Sequence, residues 1–172
     1  MKTLALLRHA KAVDRDDFVA EHDRVLAPRG EQDAALMGRF MREAGLIPDR
    51  VLCSTAARAD RTWRLAAREL GKDVPVESLR EIYNAGSGGL FETIRRSGEG
   101  ANVLCVVGHN PGLHALAVAL SGSGNADDLD TLRAKFPTGS LAVLRVAADS
   151  WTELAPGRAE LVRFVRPKDL KD

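Results

Sequence analysis

Thr3-Leu4-Ala5-Leu6-Leu7, followed at once by Arg8-His9, is the stretch on which the fold turns. It is apolar without interruption from Leu4 to Leu7 and then ends abruptly in charge, the pattern of a strand buried on both faces. Val51-Leu52-Cys53 and Val103 to Val107 have the same form. Helical patterns lie between these runs. Pro28 to Glu43 starts with a proline at the first turn, repeats Ala35, Leu36 and Phe40 at helical spacing, and is closed by Gly45. Ala56 to Leu70 carries Ala59, Trp63, Ala66 and Leu70 on one stripe and stops at Gly71. Leu90 to Arg96 and Leu113 to Leu120 are shorter helices of the same kind. Buried strands alternating with amphipathic helices predict an α/β fold, a three-layer α/β/α sandwich around a mainly parallel sheet. Past Gly139 the pattern changes. Leu141, Val143 and Arg145-Val146, then Leu161 to Val165 after Pro156-Gly157, predict a hairpin-like antiparallel pair added at the sheet edge. The glycine- and serine-rich segments 86–89 and 121–124 are expected to be flexible loops.

At 172 residues, with 45% hydrophobic and 28% charged residues, the chain fits a single domain over 1–172 and excludes a disordered or fibrous protein. The 25 Lys and Arg against 24 Asp and Glu leave +1, too little for a field that would draw the chain to nucleic acid or an anionic membrane. Cys53 and Cys105 lie within apolar runs and are expected to be buried, reduced thiols. The apolar stretch before Arg8 is too short for a signal peptide, and no run approaches the length of a membrane span. A cytoplasmic protein is expected.

In open α/β sheets ligands bind outside the carboxyl ends of the strands. The first strand ends in Arg8-His9, the second in Ser54 with Arg58 one turn on, and the third in Gly108-His109-Asn110. Two arginines and two histidines converging from three strand ends make an anion pocket with a nucleophile or proton carrier inside it. Phosphate fits such a pocket, because the planar guanidinium matches its oxygens in bidentate fashion. His22 and His114 have no such support and are taken as structural. There is no paired-cysteine spacing, no H-E-x-x-H, and no G-x-x-x-x-G-K loop, so neither a metal nor another cofactor is expected.

Arg8-His9-Ala10-Lys11-Ala12, Ser54-x-Ala56-x-Arg58-Ala59 and Val107-Gly108-His109-Asn110-Pro111 resemble the histidine phosphatase superfamily, in particular its SixA-like phosphohistidine phosphatase branch. Arg24-x-Leu26-x-x-x-Gly30, Phe136-Pro137-Thr138-Gly139 and Trp151 extend the resemblance over nearly the whole chain. It implies a phosphoglycerate mutase-like fold and a metal-independent phosphatase. In that scheme His9 attacks phosphorus, Arg8, Arg58 and His109 hold the phosphoryl oxygens with Asn110 beside them, and Glu81 of Leu79-Arg80-Glu81 supplies the proton to the leaving group. Phosphoryl transfer asks chiefly for an in-line nucleophile and positive groups around the equatorial oxygens. The two arginines should keep His9 neutral and able to attack. Three departures from the pattern, Glu21, Ala27 and Arg61, are expected to touch none of these residues, although the missing cap at Ala27 should cost about 1 kcal/mol.

The resemblance favours phosphohistidine on a signalling or phosphotransfer protein as substrate, and a monomer is the expected state. The alternatives are a phosphatase of small phosphate esters and a non-catalytic module that binds phosphate or a phosphoprotein; nucleic acid and membranes are not expected partners. Arg61, Arg64 and Arg68 follow Arg58 along one arc of the second helix, either a solvated face or a dock for an acidic protein.

Overall fold

The computed structural model describes residues 1–171. Seven strands form one mixed sheet in the order β3-β2-β4-β1-β6-β7-β5. The strands are β1 (Lys2–Arg8), β2 (Arg50–Ser54), β3 (Val76–Leu79), β4 (Val103–Gly108), β5 (Ser121–Gly124), β6 (Leu141–Val146) and β7 (Ala159–Val165). The helices are α1 (Pro28–Glu43), α2 (Ala57–Leu70), α3 (Ser87–Ser97), α4 (Gly112–Leu120) and α5 (Ala126–Ala134). β6 runs antiparallel to both of its neighbours, β1 and β7, and every other pairing is parallel.

The continuous apolar runs are explained by burial on two faces. Leu4 and Leu6 of β1, with Leu104 and Val106 of β4, pack under α3 to α5 against Leu90, Ile94, Leu116 and Phe136. Ala5 and Leu7, with Cys105 and Val107, pack on the opposite face against Met37 and Met41 of α1 and Trp63 of α2. Period-two alternation thus distributes one apolar run between two cores. Cys53 and Cys105 are both buried and free. α1 and α2 end where glycine takes up the left-handed conformation, at Gly45 (φ 69°) and Gly71 (φ 67°).

Two loop expectations are corrected. Ser87 to Gly89 form the first turn of α3 rather than a flexible loop. Residues 121–124 are β5, a parallel partner of β7 that lies beyond the predicted hairpin and becomes the sheet's outer strand. Side chains played no part in that pairing: a Cβ on Gly122 would stand 2.0 Å from the Gly157 carbonyl oxygen, so the close backbone approach requires glycine. β3 and α5 carry no periodic apolar signal and were not expected; Val76 to Ser78 are exposed, and Leu132 is the buried residue of α5. Among the described residues, no helix is long and apolar enough to cross a membrane.

Trp151 closes the core beneath α3. It is fully buried, and its indole Nε1–H donates to the Ala101 carbonyl at 2.8 Å. Trp151→Ala should cost about 3–5 kcal/mol through the cavity it leaves. In a chain of this size that lowers the thermal midpoint by about 10 °C, and Trp151→Phe should recover much of the loss in the same melting experiment.

Candidate active site

The β1–β4 register pairs Arg8 with Gly108, so the next residues, His9 and His109, emerge side by side at the carboxyl edge of the sheet. Their ring centroids are 5.1 Å apart. β2 pairs Cys53 with Val107, which brings Ser54 level with Gly108 and its Oγ to 2.7 Å from His109 Nε2. In the first turn of α2, Arg58 is buried and turns into the same space. Thr62, four residues on, accepts the Ala10 N–H at 2.9 Å and donates to the Arg58 carbonyl at 2.7 Å, which ties α2 to the residue after His9.

The hydrogen bonds leave a consistent set of atoms unspent. His9 Nδ1–H donates to the Ala10 carbonyl at 2.8 Å, so the ring proton is fixed on Nδ1 and Nε2 carries the free lone pair. Ser54 Oγ accepts the Ala56 N–H at 3.2 Å and bonds His109 Nε2 at 2.7 Å; when the hydroxyl donates in that bond, the His109 ring proton is on Nδ1. That Nδ1 is buried and has no protein partner. Arg8 Nη1 donates to the Phe136 carbonyl at 3.0 Å and Arg58 Nη1 to the Glu21 carbonyl at 2.8 Å, yet the Nε of each arginine is buried without a partner. Buried donors are normally satisfied. Three unsatisfied ones around a basic nitrogen mark a place for an anion with several oxygens.

Electrostatics reinforce the geometry. His9 is pushed down to about 3, chiefly by burial, with His109, Arg8 and Arg58 adding to it against the Ala10 hydrogen bond. The direction agrees with the expectation, although burial and not the arginines is the largest cause. His109 falls to about 4, again first through burial and then through Arg58 and Arg8. Burial and the facing Arg58 also lower Arg8. Both imidazoles are therefore neutral at physiological pH, and the positive charge belongs to the guanidinium groups.

Asn110 donates Nδ2 to the Phe136 carbonyl at 2.9 Å, the oxygen that also receives Arg8, so it braces the wall of the pocket, and its Oδ1 is buried without a partner. Glu81 is not gathered with the other four side chains. It lies in the turn after β3, exposed, and pairs with Arg96 of α3. The basic arc of α2 is also broken up: Arg58 faces inward, Arg61 pairs with Glu31 at 3.2 Å, and Arg64 pairs with Asp60 at 2.8 Å.

Sequence reasoning missed three neighbours. Glu21 accepts from Arg24 at 2.7 Å and stands 3.6 Å from Arg58 Nη2, held below the usual carboxylate range first by its bond to Arg24. His22, taken as structural, bonds Thr55 Oγ1 at 2.8 Å and meets the edge of Tyr83, whose ring lies 5.5 Å from His109 and under the Arg58 guanidinium. Only the position of Tyr83, the one tyrosine of the chain, two residues past Glu81, hinted at this. His114 is structural, bonded to the Leu132 carbonyl at 2.6 Å. Among the described residues, no group of three or more His, Cys, Asp or Glu is placed to hold a metal ion.

The model of the histidine phosphatase superfamily (branch 1) matches residues 4–91. An uncharacterized protein of Mycobacterium tuberculosis is 41% identical over 164 residues, covering 94% of this chain and all of that one. A candidate phosphohistidine phosphatase SixA from Nakamurella multipartitia superposes with a TM-score of 0.84 at 31% identity over 96% of each chain. A protein histidine phosphatase SixA in complex with tungstate has a TM-score of 0.77 at 20% identity, over 98% of this chain and 99% of that one, and shares the fold.

Neutral burial of the two histidines has a measurable consequence. Unfolded, each binds a proton near pH 6.5, whereas folded His9 and His109 do so only at about 3 and about 4. Between these values the unfolded state binds more protons, so stability is fully present above about pH 6.5 and is lost as the pH falls, by about 1.4 kcal/mol per pH unit for each histidine. Urea denaturation at pH 7 and pH 5 should show this loss, and the His9→Gln/His109→Gln double variant should show a flatter dependence.

Proposed function

Because the chain belongs to the histidine phosphatase superfamily, branch 1, we propose that it is a phosphatase that transfers the phosphoryl group of a protein phosphohistidine to His9 and then to water, without a metal ion. The observation that carries this reading is the fixed tautomer of His9: Nδ1–H is bound to the Ala10 carbonyl, so Nε2 presents its lone pair among the unpaired donors of Arg8, Arg58 and His109. In the first step Nε2 forms the new N–P bond as the bond from phosphorus to the leaving nitrogen breaks. The three basic side chains take up the charge of the equatorial oxygens, and the positive charge arising on the His9 ring is stabilised through Nδ1–H. In the second step water oxygen bonds to phosphorus, the N–P bond of His9 breaks and its electron pair returns to Nε2, and both water protons leave with the product as dihydrogen phosphate, which passes one to solvent near neutral pH, while His9 returns to its neutral form.

The leaving group distinguishes the substrates. An alkoxide needs a proton as it departs, and Glu81, the expected donor, is engaged by Arg96. A phosphohistidine protonated on its second ring nitrogen departs as neutral imidazole and needs no acid from the enzyme. The pocket therefore favours a phosphoramidate over an alkyl phosphate, in line with the SixA likeness of the fold.

Turnover of an aryl phosphate and of a phosphohistidine-carrying protein, both in EDTA, tests the proposal. His9→Ala should lower both rates by about 10⁴-fold or more, Glu81→Gln should leave the phosphohistidine rate within about threefold of wild type, and the wild-type acid limb should lie near pH 3 to 4, where His9 and His109 take up protons. An undiminished rate in His9→Ala would remove the nucleophile assignment. Absence of wild-type turnover with phosphate still bound would leave a binding module.

A further inference from the structure

β7 runs parallel to β1, and Leu7, Leu141 and Val165 lie in register across the sheet, so the residues after Val165 emerge at the same edge as Arg8 and His9. There they line an open cleft made of two adjoining cavities of about 210 and 560 Å³, which share Pro137, Arg166 and Lys168. The segment Phe136–Gly139 separates this cleft from the active site. On one side its Phe136 carbonyl receives Arg8 and Asn110, and the Gly139 N–H donates to the His9 carbonyl at 2.9 Å. On the other side Pro137 and Thr138 form the cleft wall.

Cations from three elements face this cleft: Arg29 of α1, Lys135 between α5 and β6, and Lys168 in the turn after β7. All three are exposed, and among the described residues no carboxylate comes within 4.0 Å of any of them. Asp33 and Asp169 are already taken by Lys171 and Arg166, each at 2.8 Å, and Asp130 is the further carboxylate in the lining. On α2, Glu31 and Asp60 neutralise Arg61 and Arg64, while Arg68 is exposed with no carboxylate within 4.0 Å among the described residues. In a chain of net charge +1, uncompensated positive charge is thus gathered beside the pocket. The cations are spread along an open groove and do not converge with buried donors, so the arrangement suits an extended acidic surface better than a single small anion.

We propose that the cleft lined by Arg29, Lys135 and Lys168 is the docking surface for an acidic face of the phosphoprotein, positioned so that its phosphohistidine enters across the Phe136–Gly139 wall to His9. The proposal rests on the phosphatase reading above. Complementary charge at the rim acts mainly on encounter, raising the association rate and with it kcat/KM, and salt screens it.

The test uses two peptides of equal length, each with a single phosphohistidine, flanked by glutamates in one and by glutamines in the other. Wild type should hydrolyse the glutamate peptide with about tenfold higher kcat/KM at low salt. That preference should vanish at high salt and in the Lys135→Glu/Lys168→Glu variant, which should keep the wild-type melting curve and aryl phosphatase rate. Equal kcat/KM for both peptides, or a preference that survives charge reversal, overturns the proposal. Fluorescence anisotropy of a labelled, unphosphorylated glutamate peptide separates docking from chemistry. Should wild type hydrolyse neither phosphopeptide, binding that is lost on charge reversal upholds the cleft as the acidic dock while the phosphohistidine reading fails, and absence of binding overturns the dock itself.

Discussion

Two guanidinium groups and two imidazoles share a largely buried space, and the Glu21 carboxylate stands half-exposed at its rim, 3.6 Å from Arg58 Nη2. Burial disfavours the positive charge of Arg8 and of either imidazole, and Arg58 adds to the effect on all three. The fold tolerates the arrangement through main-chain carbonyls, Phe136 for Arg8 and Glu21 for Arg58, and through histidines that stay neutral. Remaining donors are left without partners, and their unmet demand is the binding energy available to an anion. A ligand with several negatively charged oxygens satisfies the donors and relieves the repulsion at once.

Backbone geometry brings these groups together, and the side-chain hydroxyls of Ser54 and Thr62 fix them there. Parallel pairing of β1 with β4 sets His9 next to His109, and pairing of β2 with β4 sets Ser54 where it can orient the second ring. α1 lies close to the chain after His9 because Gly30 has no side chain: a Cβ there would stand 2.0 Å from the Lys11 carbonyl oxygen. Thr62 then joins α2 to Ala10. His9 therefore sits at the junction of a sheet edge and two helices, so its position is set by elements with buried cores. Preorganisation of this kind matters most for phosphoryl transfer, in which placement and charge account for most of the rate.

What could be read in the sequence follows from how much of each element is buried. β1 and β4 were legible because both faces are covered, and α1 and α2 because Pro28, Gly45 and Gly71 punctuate an amphipathic stripe. β3 is an exposed edge strand, β5 pairs through glycine and serine backbone, and α5 buries Leu132 alone, so none of them carries a period. The site divides in the same way. His9, Arg8, Arg58 and His109 follow directly from strand ends, whereas Glu21, His22 and Tyr83 arrive from short 3-10 turns or their caps, whose placement depends on tertiary contacts. Glu81 shows the converse: a local motif singled it out, and a contact with Arg96, distant in sequence, decides its surroundings.

The position of Glu81 bears on the chemistry as well as on prediction. With that carboxylate paired to Arg96, the groups brought together around His9 are chiefly donors, and Glu21, 3.6 Å from Arg58 Nη2, is held below the usual carboxylate range first by its bond to Arg24. On the proposed reading, such a pocket would lower the barrier for forming and breaking bonds to phosphorus and do less for a leaving group that requires a proton. Substrates whose leaving atom is already protonated, or is stable as an anion, gain the full benefit; alkyl esters gain only part of it. On the proposed reading, selectivity between phosphoramidate and alkyl ester would come from the leaving group's own need for a proton, and recognition of the rest of the substrate would fall to the proposed docking surface beside the Phe136–Gly139 wall.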